Sequence, residues 1–172
     1  MEPSETQLLV AQHDDVVCIK VSGRANVRTS VPFKTLMEDR RSKQIVHFIL
    51  ELADCLLMDS TFLGVLANQA FELVEDMDPP GSIQLLNPND RVLDLLDNLG
   101  VLELFNVQQN THFDPQQFEA ISEQLESGTK AEMTETSLHA HRALIALNPA
   151  NKEKFQHVTH FLEKELKRQQ EE

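Results

Sequence analysis

Residues Ile45–Phe71 read IVHFILELADCLLMDSTFLGVLANQAF, and two kinds of apolar pattern meet inside them. Ile45-Val46-His47-Phe48-Ile49-Leu50 is a run of strand length, rich in β-branched and aromatic residues. Phe62, Leu63, Val65, Leu66, Ala67, Ala70 and Phe71 instead recur at spacings of three and four, the pattern of a helix that buries one broad face. Between them stand Asp59, Ser60 and Thr61, each able to accept a hydrogen bond from an orphan N–H of a first helical turn. A hydroxyl at this junction is expected at the carboxyl end of a strand, exposed. The partial positive charge of the helix start would tolerate a phosphate on it.

On the N-terminal side, Leu8–Ala11 and Val16–Val21 read as two short strands joined by a tight turn at His13-Asp14-Asp15. Gly23 suits a sharp exit from the second, and Asn26 follows as a turn or cap residue. Ser30–Arg41 reads as a helix with Ser30 as its cap and Pro32 in its first turn. Arg40, Arg41 and Lys43 form a small basic cluster at its end, as a solvated helix terminus would.

On the C-terminal side, the helix after Ser60 is expected to reach about Val74 and to stop before Asp78-Pro79-Pro80-Gly81. Ser82–Leu86 is a further short strand. Asn89 or Asp90 caps a helix through Leu96, closed by Gly100, and Leu102–Val107 is the last strand. Two strands followed by strands alternating with helices predict an α/β fold with right-handed crossovers.

The remainder differs in kind. His112–Gly128 predicts one helix, Ala131–Leu147 a second, and a third is capped by Asn148 with Pro149 at its first position. Residues 1–111 and 112–172 are therefore expected as a domain and a helical extension. The apolar stripe of each extension helix must pack on the domain, on its neighbour or on a second subunit, because short helices are marginal alone in water.

The 41% apolar content of the 172 residues suits a globular chain, and the nine aromatic residues are all Phe. A net charge of −13 argues against nucleic acid and an anionic membrane surface as partners. No run is long and apolar enough for a transmembrane helix, the N-terminus does not resemble a signal peptide, and Cys18 and Cys55 are expected as reduced core residues of a cytoplasmic protein.

Met58-Asp59-Ser60-Thr61-Phe62-Leu63-Gly64-Val65 resembles the signature loop of STAS domains, the anti-sigma-factor-antagonist fold of bacteria. Family members typically read Met-Asp-Ser-Ser/Thr-Gly-Leu-Gly there, so Phe62 replaces a Gly. The family's neighbouring Gly-x-x-Asp loop matches Gly23 to Asn26, with Asn26 in place of the Asp. The Leu99-Gly100-Val101 element before Leu104-Phe105-Asn106-Val107 fits the pattern as well. The resemblance covers about residues 7–111. It implies a STAS-like small mixed β-sheet with helices mostly on one face, here followed by a C-terminal helical hairpin.

The resemblance further implies a regulator of transcription with no enzymatic activity and no cofactor. Its partner would be an anti-sigma factor of the serine-kinase type, bound through Asn26, Asp59, Ser60, Thr61 and Phe62. Phosphorylation of Ser60 would abolish binding. The C-terminal helices would add a partner contact or a homodimer contact. The alternative is a scaffold or oligomerisation module in which Ser60 is only a helix cap.

An enzyme has little behind it. The Gly-x-Ser-x-Gly elbow is absent, and no Ser-His-Asp order is evident. His139 and His141 lie two apart and point to different faces of a helix; surface histidines are the commoner case. His157 and His160 share a face but lack a further metal ligand. No phosphate-binding glycine loop or Cys-x-x-Cys is present.

Overall fold

The computed structural model describes residues 6–111, 119–120 and 128–171. Strands β1 (Gln7–His13) and β2 (Val16–Ala25) form an antiparallel hairpin, turned at Asp14 with φ 53°. Helix α1 (Val27–Ser42) follows, then β3 (His47–Glu51), β4 (Cys55–Met58) and helix α2 (Ser60–Glu75). Strand β5 (Ser82–Leu86) and helix α3 (Asp90–Asn98) lead through one 3-10 turn at Leu102–Leu104 to β6 (Asn106–Gln108). A two-residue strand β7 (Glu119–Ala120), helix α4 (Lys130–Leu147) and helix α5 (Asn151–Gln170) complete the chain.

The sheet order is β6-β5-β3-β2-β1-β7, with β3, β5 and β6 parallel to β2 and the flanking β1 antiparallel. Strand β4 lies off this path. It pairs in parallel with the far end of β2, past a register shift at Gly23 and Arg24. Gly23 takes φ 79°, which a residue with a Cβ adopts at a cost, and β2 turns there from one pairing partner to the other.

The alternation expected from the sequence is therefore present, with specific differences. The strand that hands over to α2 is β4, which the sequence pattern hides: it is only four residues long and Leu56 is exposed. Helix α1 is capped by Asn26, not Ser30, and begins at Val27, so Pro32 stands inside it. Ser30 instead returns its hydroxyl to the Asn26 carbonyl at 2.8 Å. The predicted strand at Leu102–Val107 is divided into the 3-10 turn and the short β6. Asn148 does not cap the last helix, which starts at Asn151. Of the predicted helix over His112–Gly128, residues 112–118 and 121–127 lie outside the described residues, and Glu119–Ala120 is a strand paired with β1.

The core lies between the sheet and the α1–α2 layer. It holds Val17, Ile19, Phe48 and Leu50 from the sheet and Phe33, Met37, Phe62 and Leu66 from the helices. Helix α4 packs across α2 and α1 as a further layer, and α5 packs on α4. Ala140 and Leu144 of α4 join the same continuous core. No helix among the described residues is long and apolar enough to cross a membrane.

Candidate functional site at the start of helix α2

Pairing of β4 with the end of β2 sets Met58 beside Ala25, and the Asp59 N–H donates to the Ala25 carbonyl at 2.9 Å. The starts of α1 and α2 are thereby neighbours, which brings the Asn26 loop and the Asp59-Ser60 loop together. Asn26 Oδ1 accepts from the N–H groups of Arg28 and Thr29, and the Thr29 hydroxyl oxygen accepts from the Asn26 N–H, closing a capping box. Asp59 caps α2, accepting from the Phe62 N–H at 2.8 Å. The nearby N–H groups of Val27 and Thr61 also favour its charged form, so the carboxylate feels both helix starts. Burial pushes the Asp59 carboxyl above its usual range; these N–H donors and the nearby His141 pull against that shift.

Ser60 is the first residue of α2 and not its cap. It is half-buried. Its Oγ lies 2.8 Å from Nε2 of His141 on α4. Nδ1 of the same ring lies 2.7 Å from the Ser137 carbonyl, one turn earlier. A carbonyl only accepts, so Nδ1 carries the proton and Nε2 accepts from the Ser60 hydroxyl. The ring is 3% exposed and stands edge-on to Phe155 of α5, with centroids 5.0 Å apart. Burial holds the His141 pKa below its ordinary value.

The next residue repeats the pattern. Thr61 Oγ1 lies 2.9 Å from Ser137 Oγ, and both residues are buried. A turn further on, a Cβ added to Gly64 would lie 2.4 Å from the Ala140 carbonyl oxygen, so α4 crosses α2 in near backbone contact. A groove of about 510 Å³ beside this contact is lined by Val27, Asp59, Thr61, Met133, Phe161 and Glu165 among others.

Of the residues expected to form a partner surface, Asn26, Asp59 and Ser60 are brought together and remain partly accessible. Thr61 and Phe62 are placed otherwise. Phe62 is fully buried, its ring centroid 4.9 Å from that of Phe33, and Thr61 is covered by Ser137. Phe62 enlarges the core between α1 and α2 and offers no side-chain surface to another molecule. His141 was not foreseen at the site. Its signal was its place four residues after Ser137 and three before Leu144, on the stripe that α4 buries. The basic cluster is absorbed locally: Arg40 and Lys43 pair with Asp39, and Arg41 meets Glu72 and Gln69 of α2.

The Ser60–His141 pair has the composition of a nucleophile and its base. Among the described residues, however, the groove beside it is lined by Asp59 and Thr61 and not by Ser60.

The family model for the STAS domain matches residues 7–113. The chain belongs to the STAS domain family. TM1081 of Thermotoga maritima, described as a candidate anti-sigma factor antagonist, is 24% identical; the match covers 59% of this chain and 85% of that one, with a TM-score of 0.52. An anti-sigma factor antagonist from Mycobacterium paratuberculosis is 18% identical over 64% of this chain and 90% of its own, with a TM-score of 0.53. The phosphorylated form of the Bacillus cell fate determinant SpoIIAA is 17% identical over 60% of this chain and 92% of its own, with a TM-score of 0.50. No curated protein matches the chain. At these identities the structural likeness speaks for the fold. Helices α4 and α5 follow the segment that the STAS model matches.

Proposed function

We propose that this STAS protein is an anti-sigma factor antagonist-like regulator, and that a partner serine kinase uses Ser60 as its phosphoacceptor. The observation that carries the reading is the position of the Ser60 hydroxyl: the first turn of α2, after the Asp59 cap and beside the Asn26 loop, in a family whose structural relatives include a protein solved in phosphorylated form. The helix start supplies N–H groups and partial positive charge, so added phosphate would leave the sheet and the α1–α2 layer standing. The same charge would enter any interface formed over Asn26, Asp59 and Ser60 and weaken it. The chain acts as a substrate and binding partner in this scheme, not as a catalyst.

The test is mass spectrometry of the full chain after incubation with ATP and a cytosolic extract of its source organism. Phosphate on Ser60, absent from Ser60→Ala, is expected. Label confined to other residues overturns the acceptor role.

A second reading, a non-switching oligomerisation module, is favoured by the exposed apolar residues of α5 on the rim of the groove. Phe161 is 64% exposed and Val158 lies one turn before it. A homodimer through this face would show in sedimentation as a species of twice the monomer mass that Phe161→Glu abolishes.

A further inference from the structure

We propose that the α4–α5 hairpin is a built-in occupant of the Ser60 face, and that a phosphoryl group on Ser60 displaces it. This rests on the reading of Ser60 as phosphoacceptor and adds its regulation.

The occupant is visible in the contacts. Ser137, Ala140, His141 and Leu144 recur at helical spacing and form the buried stripe of α4. Through that stripe α4 covers the first two turns of α2: Ser137 on Thr61, His141 on Ser60, and the Ala140 backbone on Gly64. A protein approaching Ser60 from above α2 meets α4 first. The docked hairpin and an external partner therefore compete for one surface.

The Ser60–His141 bond makes that competition sensitive to phosphate. The docked ring accepts at Nε2 because Nδ1 is committed to the Ser137 carbonyl. When the γ-phosphoryl group of ATP passes to Ser60 Oγ, the Oγ–H bond is lost, its proton goes to a base, and ADP leaves. The ester oxygen has no hydrogen to donate, so the present bond to Nε2 is lost, and the neutral ring, its proton held on Nδ1, presents only an acceptor to the phosphoryl oxygens. With the Ser60 side chain in its present orientation, the phosphorus and three further oxygens fall in space now filled by the imidazole, 2.8 Å from Oγ. The ring is held at Nδ1 by the Ser137 carbonyl and packed against Phe155, so retreating from Oγ would break or strain those contacts. About two negative charges would also be enclosed beside the Asp59 carboxylate. Outward movement of α4 relieves all of these at once, whereas the sheet and the α1–α2 layer need not change.

Amide hydrogen exchange on the full chain tests this without a kinase, using phosphoserine installed at position 60 during translation. Amides of residues 130–147 are expected to exchange about tenfold faster or more, while β2, β3 and β5 keep their protection. Gly64→Ala gives the reference for an opened hairpin, because its Cβ collides with the Ala140 carbonyl whereas alanine suits the α2 helix itself. If phosphoserine leaves α4 as protected as in the unmodified chain, the proposal is overturned. Loss of protection throughout the sheet overturns it equally, since the displacement must be local. Neither outcome touches the acceptor reading, which stands or falls on the phosphate found at Ser60 after treatment with extract and ATP.

Discussion

Ser60 and His141 are 81 residues apart in the chain and 2.8 Å apart in space. The bond joins the family's signature loop to a helix beyond the matched segment, and its two ends answer differently to mutation. Ser60→Ala leaves Nε2 of a buried imidazole without its donor, at an expected cost of about 1–3 kcal/mol. His141→Ala removes the ring, its packing on Phe155 and the bond together, and is expected to cost at least as much. Urea denaturation of the two variants checks this. A Ser60→Ala midpoint equal to that of the parent chain would show that the hydroxyl does not hold α4.

The titration of His141 gives a second handle. Its native pKa is depressed, chiefly by burial, with the Ser137 carbonyl and the Asp59 carboxylate opposing. Between the depressed value and the ordinary value near 6.5, the folded chain binds fewer protons than the unfolded one. Stability from this group is therefore complete above that ordinary value and is lost as pH falls below it. Asp59 has the opposite slope: its raised pKa lowers stability as pH rises through the window above its ordinary value. Lowering the pH from about 7.5 to about 5.5 is expected to destabilise the parent chain more than His141→Gln, which keeps Asp59 and removes the imidazole. Equal losses in both would place the proton elsewhere.

Phe62 separates core from surface. The side chain is fully buried against Phe33, so Phe62→Ala is expected to cost about 3–5 kcal/mol through the cavity it leaves. Calorimetry reads this as a lowered Tm. A Phe62→Ala chain of unchanged Tm would contradict the buried position.

The signature loop was legible because strand-like and helix-like apolar periods adjoin it; of its three candidate caps, Asp59, Ser60 and Thr61, the helix uses Asp59. Ser82–Leu86 was legible for a similar reason: breakers stand on both sides of it. Strand β4 was not, since a four-residue strand with Leu56 exposed lacks a period of its own. His141 was missed for another reason. The buried stripe of α4 is made of Ser137, Ala140 and His141 as much as of Leu138 and Leu144, and hydropathy marks only the leucines. A helix that meets another through small and polar residues carries little hydrophobic signal, and its partner is chosen by shape and hydrogen bonding.

The two cysteines should be chemically silent in the native chain. Burial pushes the Cys18 thiol to about 12, with Glu51 adding to the shift, and the Cys55 thiol to about 11. The thiolate is the reactive form, so iodoacetamide at about pH 8 is expected to label neither until urea is added. Mass spectrometry that finds either residue modified in the native chain would mean that the core around it opens.

Asn151 pins the hairpin at its other end. It is fully buried, and its Nδ2 donates to the carbonyls of Leu99 at 2.9 Å and Leu144 at 2.8 Å. Leu99 closes α3 and Leu144 lies in the last turn of α4, so one amide holds the domain, α4 and the start of α5 together. Asn148 adds a second donor to the Leu99 carbonyl at 3.1 Å, close to Gly100, which takes φ 72° and at which an added Cβ would lie 2.3 Å from Asn148 Nδ2. Asn151→Leu fills similar volume without a donor and removes two hydrogen bonds, though the Leu99 carbonyl retains the Asn148 side-chain amide and the Leu144 carbonyl retains the Asn148 N–H. An expected cost of about 1–2 kcal/mol follows from the two lost bonds. Hydrogen exchange should place the loosening at the start of α5, with the Ser60 end of α4 less affected. Equal loosening along all of α4 would show that the helix docks as one rigid unit, with Asn151 and His141 acting on a single contact.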